Sequence, residues 1–245
     1  MIKVLAIGNS FSDDAMRYLH RIAKADGIQM KTVNLYIGGC PLYKHYINAL
    51  EDKAQYSLQF NGEDTGFGVS IKQALINDEW DYVTLQQVSH CSPDYNTYQP
   101  YLDYMAEYVR KYAPKAKLLI HQTWAYEQDS DRLTKELGYE KYTDMLCDIK
   151  KSYDKAAKAV DAVGIIPSGE TMHQLLENGI KKVHRDGFHA SLGLGRYALG
   201  LTWYHAITGN DIDKNKFCDF DEPVSTEEIT IAKKSAKTAV SKYKF

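Results

Sequence analysis

After Met1 the sequence reads Ile2-Lys3-Val4-Leu5-Ala6-Ile7-Gly8-Asn9-Ser10-Phe11-Ser12, and this stretch decides the fold. An apolar run of strand length ends at Gly8, and polar residues that can begin a helix follow it directly. A strand that is apolar on both faces is typical of a parallel sheet covered by helices on either side. The stretch therefore predicts a strand, a tight turn and a helix, with Asn9 and Ser10 at the turn.

The same kind of apolar run recurs four times, and the runs are separated by stretches with the three- and four-residue apolar spacing of helices. The further predicted strands are Lys31–Tyr36, Tyr82–Gln86, Lys117–His121 and Val163–Pro167. Alternating strands and helices with right-handed crossovers favour a doubly wound sheet. We therefore predict a flavodoxin-like, three-layer α/β/α fold with a five-stranded parallel sheet in the order 2-1-3-4-5. Ligands of such sheets bind beyond the carboxyl ends of the strands.

A single domain over residues 1–245 is expected, because chains of this length form one compact unit in many α/β proteins and no linker or repeat interrupts this one. Residues 55–68 break the alternation of strands and helices. Their own alternating pattern and the Asn61-Gly62 pair predict a small hairpin inserted before the third strand.

Composition excludes several classes of partner. The chain has 30 basic and 32 acidic residues, so no excess of positive charge favours binding to nucleic acid or to a membrane surface. The four cysteines lie far apart and the histidines lack the spacing of a helical zinc site, so we expect neither a metal nor a cofactor.

The N-terminus has no basic region or cleavage site, and we expect a cytoplasmic protein, although a signal peptide removed beforehand would leave the same sequence. The oligomeric state is not readable from this sequence.

Ser10 is a candidate nucleophile because of its position at the end of the first strand. A serine there points into the ligand crevice, and the start of the helix behind it supplies unpaired backbone N–H groups for a developing oxyanion. The alternative is that Ser10, Ser12 or Asp13 only caps the helix, since serine and aspartate are preferred N-cap residues.

The segment Asp186-Gly187-Phe188-His189 supplies a candidate base. Across such a short turn the Asp186 carboxylate can accept the Nδ1–H of His189 and fix the tautomer in which Nε2 removes a proton from a serine. The alternative is that His189 is an ordinary surface or structural histidine in a loop. A serine at a strand end together with this later pair makes the nucleophile and base of a serine hydrolase.

These two segments carry a resemblance to a known family. Gly8-Asn9-Ser10-Phe11-Ser12 resembles the first conserved block of the SGNH (GDSL-type) hydrolases, and Asp186-Gly187-Phe188-His189 resembles their closing D-x-x-H block. The resemblance spans nearly the whole chain and implies Ser10 as nucleophile, His189 as general base and Asp186 as its orienting carboxylate.

The same resemblance implies an oxyanion hole formed by the N–H of Ser10, the N–H of Gly39 and a side-chain amide after the third strand. The family has an asparagine at the last position, and this chain has Gln86-Gln87 there instead. Gln87, or else Gln86, is the expected donor. This departure makes the chain similar to a divergent bacterial branch of unknown function near the carbohydrate esterases.

Further polar and aromatic residues near predicted strand ends are candidates for a substrate pocket, namely His90, Trp124 and Glu170. Each has a structural alternative; Glu170, for example, can be a first-turn carboxylate that the helix dipole favours.

Taken together, the residues and the resemblance predict a serine esterase acting on short acyl esters, with acetyl as the expected group and a carbohydrate as the expected alcohol. Two alternatives stay open at this point. One is a lipase or thioesterase that takes another acyl group. The other is a noncatalytic module that binds a sugar or nucleotide in the same crevice.

Overall fold

The computed structural model of the protein describes residues 1–244, and a seven-stranded sheet forms its centre. The sheet runs in the order β4-β3-β2-β1-β5-β6-β7. The strands are β1 (Ile2–Gly8), β2 (Met30–Tyr36), β3 (Tyr56–Phe60), β4 (Glu63–Val69), β5 (Tyr82–Leu85), β6 (Lys117–His121) and β7 (Gly164–Ile166).

The five parallel strands confirm the predicted fold. Their order β2-β1-β5-β6-β7 is the predicted 2-1-3-4-5, and no strand end differs from its predicted position by more than one residue. In the register of the sheet, Ile7 of β1 lies between Leu35 of β2 and Leu85 of β5. The polar residues that follow these strands therefore emerge side by side at the carboxyl edge of the sheet.

The sheet has seven strands and not the predicted five, because the hairpin of residues 56–69 joins it. Strand β3 pairs antiparallel with β2, with Leu58 opposite Leu35, and β4 pairs with β3. Without the hairpin, β2 would be an open edge with unpaired backbone groups. The prediction of five strands was wrong on this point because hairpin pairing to a distant strand leaves no trace in local periodicity.

Nine α-helices within residues 1–244 cover the two faces of the sheet: α1 (Ser10–Met16), α2 (Leu19–Ala25), α3 (Leu42–Glu51), α4 (Ile71–Ile76), α5 (Tyr101–Tyr112), α6 (Tyr142–Ala159), α7 (Ser168–Glu177), α8 (Leu194–Thr208) and α9 (Thr226–Ser241). Helices α1, α2, α7 and α9 all pack against α8, whereas α3, α4 and α5 pack against one another. None of the helices in the described part of the chain is both long and apolar enough to cross a membrane.

Helix α8 lies in the interior, and its sequence explains why. Of its fifteen residues, twelve are buried, including Tyr197, Leu201 and Trp203. A helix that is apolar on all sides is stable only where other elements surround it. Since α8 follows directly after residues 186–193, it anchors that segment to the core beside α1.

Candidate active site

Ser10 is the first residue of α1, and the turn before it depends on Gly8 and Asn9. A Cβ at position 8 would lie 2.2 Å from the Ser12 oxygen, so only glycine fits. The Asn9 side chain caps the helix by accepting the N–H of Phe11 at 3.1 Å, and Ser12 Oγ accepts the N–H of Asn9 at 3.1 Å. Capping thus falls to Asn9 and Ser12, and the hydroxyl of Ser10 is left for another partner.

That partner is His189. Its Nε2 lies 2.9 Å from Ser10 Oγ, and its Nδ1 lies 2.7 Å from Asp186 Oδ2. The three predicted residues therefore form one hydrogen-bonded chain, although Ser10 is separated from His189 by 179 positions. The His189 side chain is 18% exposed and that of Asp186 is 44% exposed, so the group lies open to solvent.

The turn between Asp186 and His189 holds the imidazole in place. Asp186 Oδ1 accepts the N–H of His189 at 2.9 Å and the N–H of Phe188 at 3.3 Å, while Gly187 adopts a φ of 90°. Partial burial raises the pKa of Asp186, but the hydrogen bonds from the ring and backbone of His189 outweigh burial and hold that pKa below its ordinary value. The carboxylate therefore stays ionised and accepts the Nδ1–H of His189.

Trp124 supports this turn from behind and does not offer an open face to a sugar. It is fully buried, its ring stacks on Phe11 with centroids 4.0 Å apart, and its Nε1–H donates to the Phe188 carbonyl at 2.7 Å. The expectation that Trp124 contacts substrate is not supported by this geometry. The side chain acts on the site through Phe188, which precedes His189.

Asp14 joins the two halves of the site, and the sequence did not reveal it. Its buried carboxylate accepts from Arg185 Nη1 at 2.9 Å, from Arg196 Nε at 2.8 Å and from the N–H of Ala190 at 3.0 Å. Asp14 lies one helical turn after Ser10, and Ala190 directly follows His189. The one available signal was an acidic residue on the helix face that Ser10 occupies, but its arginine partners lie more than 170 positions away.

The two glutamines after β5 are engaged inside the protein. Gln87 Nε2 donates to the carbonyl and hydroxyl of Thr97, and its Oε1 accepts the N–H of Leu42 at 2.9 Å. Gln86 Nε2 donates to Asn9 Oδ1 at 2.8 Å, and its Oε1 contacts His121 Nδ1 at 2.7 Å. Both side chains are buried. This arrangement contradicts the expectation that Gln87 or Gln86 donates to an oxyanion.

Gly39 lies in the exposed turn after β2. This turn is tied to the turn that precedes Ser10, because Asn9 Nδ2 donates to the Cys40 carbonyl at 3.1 Å. The arrangement is compatible with the predicted donor role of the Gly39 N–H.

Glu170 and His90 do not join the chain of Ser10, His189 and Asp186. The Glu170 carboxylate is buried and bonded to Lys150 at 2.5 Å and to Lys242. Burial alone would raise the pKa of Glu170, but the two ammonium groups outweigh it and lower that pKa to about 2. This carboxylate is occupied by lysines, which contradicts the expectation that it binds substrate. His90 is exposed in the loop after β5 and makes no hydrogen bond to the three residues.

A doubly wound sheet with Ser10, His189 and Asp186 joined at its carboxyl edge has the architecture of the SGNH hydrolases. The chain belongs to the family described as "Domain of unknown function (DUF4886)", whose model matches residues 3–239. A search of curated protein sequences gave no match.

Solved structures agree with the family and with the fold. A DUF4886 family protein from Bacteroides uniformis is 34% identical with a TM-score of 0.91, over 98% of this chain and 94% of that one. An SGNH hydrolase from Slackia heliotrinireducens is 22% identical with a TM-score of 0.60, over 83% and 97% of the two chains. A GDSL-like lipase from Parabacteroides merdae is 13% identical with a TM-score of 0.56, over 85% and 95%. The last two likenesses show that the fold is that of the SGNH hydrolases.

Proposed function

We propose that this protein is a serine esterase that hydrolyses short acyl esters, with acetyl as the acyl group and a carbohydrate or similarly polar molecule as the alcohol. One observation carries the proposal, namely the hydrogen-bonded chain from Asp186 through His189 to the half-buried Ser10 hydroxyl. Nucleophile, base and orienting carboxylate are the parts that acyl transfer to serine requires.

The reaction has two halves. Ser10 Oγ attacks the ester carbonyl while its proton moves to His189 Nε2, and the imidazolium then gives that proton to the leaving alcohol oxygen as the acyl-oxygen bond breaks. Water attacks the resulting acyl-serine with His189 again as base, and the acid leaves as Ser10 recovers its proton. Asp186 stabilises the imidazolium in both halves and keeps its own charge.

Two backbone groups are suited to hold the oxyanion. The N–H of Ser10 is the first of α1 and has no acceptor within the helix. The N–H of Gly39 is the second donor in this proposal, since its turn is bonded to Asn9 beside the nucleophile. Gln86 and Gln87 have no part in it, and two donors are expected to give less stabilisation than three.

The packing around Ser10 supports a short acyl group. Phe11, Trp124 and Phe188 are the aromatic side chains beside Ser10 and His189, and they fill space against one another with Phe11 1% exposed and Trp124 fully buried. A long acyl chain needs an open apolar channel, and these rings occupy the apolar volume next to the nucleophile.

The first test is hydrolysis of p-nitrophenyl acetate by the wild type, Ser10→Ala and His189→Ala. We expect turnover by the wild type and a loss of at least about 10³-fold in kcat in each folded variant, because residues of a triad act as a unit. A fluorophosphonate probe followed by intact-mass spectrometry should add one label to the wild type and none to Ser10→Ala. Equal rates in the three proteins would contradict the proposed triad.

Esters of increasing chain length separate the esterase from a lipase or thioesterase. A steep loss of kcat/KM from acetate to butyrate and octanoate is expected, and a rise along the series would favour the other enzymes. Sugar binding without any turnover that depends on Ser10 would favour a noncatalytic module.

A further inference from the structure

The segment 124–141 forms a wall beside the turn that carries His189. The N–H of Glu127 donates to the Gly187 carbonyl at 2.7 Å, and Trp124 donates to the Phe188 carbonyl. A Cβ at position 187 would lie 3.4 Å from the Ser130 side chain. The wall therefore touches residues 187 and 188 directly.

Arg132 extends from this wall over the aromatic ring that precedes His189. Its guanidinium carbon lies 3.9 Å from the centroid of the Phe188 ring, and that ring lies 3.8 Å from the His189 ring. Arg132 therefore contacts Phe188, which contacts His189, the hydrogen-bond partner of Ser10. Arg132 also begins a five-residue π-helical turn, Arg132–Glu136.

Arg132 differs from the other arginines in its partners. The sequence contains six arginines, and five of them, Arg17, Arg21, Arg110, Arg185 and Arg196, form salt bridges with carboxylates. Among residues 1–244, no carboxylate lies within 4.0 Å of a nitrogen of Arg132. Two acidic groups of the same wall are engaged elsewhere, Asp131 with Lys135 and Glu127 with Lys182.

The Arg132 guanidinium lies beside the Tyr126 hydroxyl, but it is exposed and has five N–H donors, so donors at its edge stay available to a ligand. The Phe188 ring covers one face and orients the plane, and the fork of N–H donors then matches a carboxylate with two parallel hydrogen bonds. A single guanidinium neutralises one negative charge. Because the ionised Asp186 lies in the neighbouring turn, a monoanion is favoured over a dianion such as phosphate.

We propose that Arg132 binds a carboxylate on the alcohol part of the substrate, so that the preferred esters are those of acidic hydroxyl compounds such as uronic-acid sugars. This inference rests on the proposed esterase function. It assigns the segment 124–141 to substrate recognition and Arg132 to specificity.

The test uses matched aryl acetates with and without charge. The 3- and 4-acetoxybenzoates carry a carboxylate, and the corresponding acetoxybenzamides have the same shape and are neutral. We expect Arg132→Gln to lower kcat/KM for the better acetoxybenzoate by about 10- to 100-fold more than for its benzamide, the range typical of a hydrogen bond to a charged group. Arg132→Lys should retain an intermediate preference, because lysine keeps the charge without the fork.

Lys141→Gln is the matched control, because it removes one positive charge from the same wall. It should change the benzoate and benzamide rates equally. Equal changes for Arg132→Gln would overturn the inference about Arg132. Ser10→Ala should lose turnover of all four esters; if it retained turnover, the proposed esterase function would fail, whatever the ratio in Arg132→Gln.

Discussion

Ser10 Oγ lies 2.9 Å from Nε2 of His189, and Ser168 Oγ lies 2.9 Å from Nε2 of His121. His121 ends β6 and His189 lies in the turn before α8, and each imidazole contacts a third side chain through Nδ1. For His189 the third group is the Asp186 carboxylate at 2.7 Å, and for His121 it is the Gln86 amide oxygen, also at 2.7 Å. By distance alone the two serine–histidine pairs are indistinguishable.

Burial and charge separate the two pairs. His121 and Ser168 are fully buried, and burial lowers the pKa of His121 to about 3, so that this imidazole stays neutral. His189 is partly exposed and its third group carries a full negative charge that stabilises an imidazolium. A serine–histidine hydrogen bond therefore becomes a candidate for catalysis only where substrate can reach the serine and a carboxylate supports the cation.

The buried pair of Ser168 and His121, the inner pair, has a structural role in the same site as the outer pair of Ser10 and His189. Gln86 contacts His121 with its oxygen and donates through its nitrogen to Asn9 Oδ1, and Asn9 caps the helix that begins with Ser10. The buried chain thus fixes the turn on which the outer pair depends.

Replacing the charge of the outer pair should produce the largest effect. In Asp186→Asn an amide N–H can face Nδ1 and favour the wrong tautomer of His189, so kcat for p-nitrophenyl acetate should fall by about 10³- to 10⁴-fold. In the inner pair, Ser168→Ala is the counterpart of Ser10→Ala, and its kcat should stay within about threefold of the wild type, with a stability loss of about 1 kcal/mol. If Asp186→Asn kept a tenth of the activity, the carboxylate would not be what distinguishes the pairs.

The outer pair keeps its geometry near solvent because the buried Asp14, on the helix that begins with Ser10, binds Arg185 and the backbone of Ala190 on either side of His189. Asp14→Asn leaves Arg185 and Arg196 without their shared carboxylate, and we expect the free energy of unfolding to fall by about 3 kcal/mol. Urea denaturation measures this loss. Asp13→Asn is the control, because the Asp13 carboxylate lies 3.8 Å from Arg196 and is partly exposed, so its loss should stay below about 1 kcal/mol. Equal losses in the two variants would mean that Asp14 is not the anchor.

The comparison also indicates which features the sequence can reveal. The five parallel strands were predictable because a strand buried on both faces leaves a continuous apolar run such as Val4–Ile7. Ser10, Asp186 and His189 were predictable because each lies in a short local pattern with a recognisable resemblance. The hairpin's pairing to β2 was not predictable, since it depends on which edge is open.

Side-chain direction was the feature that sequence could not supply. Gln86 and Gln87 have the amide donors of an oxyanion site, but both turn inward, to Asn9 and to Thr97. Asp14 and Glu170 read as ordinary helix carboxylates, and only the folded chain brings arginines to the first and lysines to the second. Such partners are set by tertiary packing, and their separation in the sequence ranges from 10 positions for Gln87 and Thr97 to 171 positions for Asp14 and Arg185, which no local spacing encodes.

The smallest effect concerns pH and the inner pair. Burial lowers the pKa of His121 in the folded protein to about 3, whereas in the unfolded chain this histidine has its ordinary pKa of about 6.5. Between these two pH values the unfolded chain therefore binds a proton that the folded chain does not. Stability is therefore full above pH 6.5 and falls as the pH drops towards 3, by about 2 kcal/mol at pH 5 from this residue. His121→Gln keeps a donor for Gln86 and an acceptor for Ser168 without titrating. Its loss of unfolding free energy between pH 7 and pH 5 should be about 2 kcal/mol smaller than that of the wild type. Equal losses would mean that the inner imidazole takes up its proton while folded, and the contrast in charge between the two pairs would disappear.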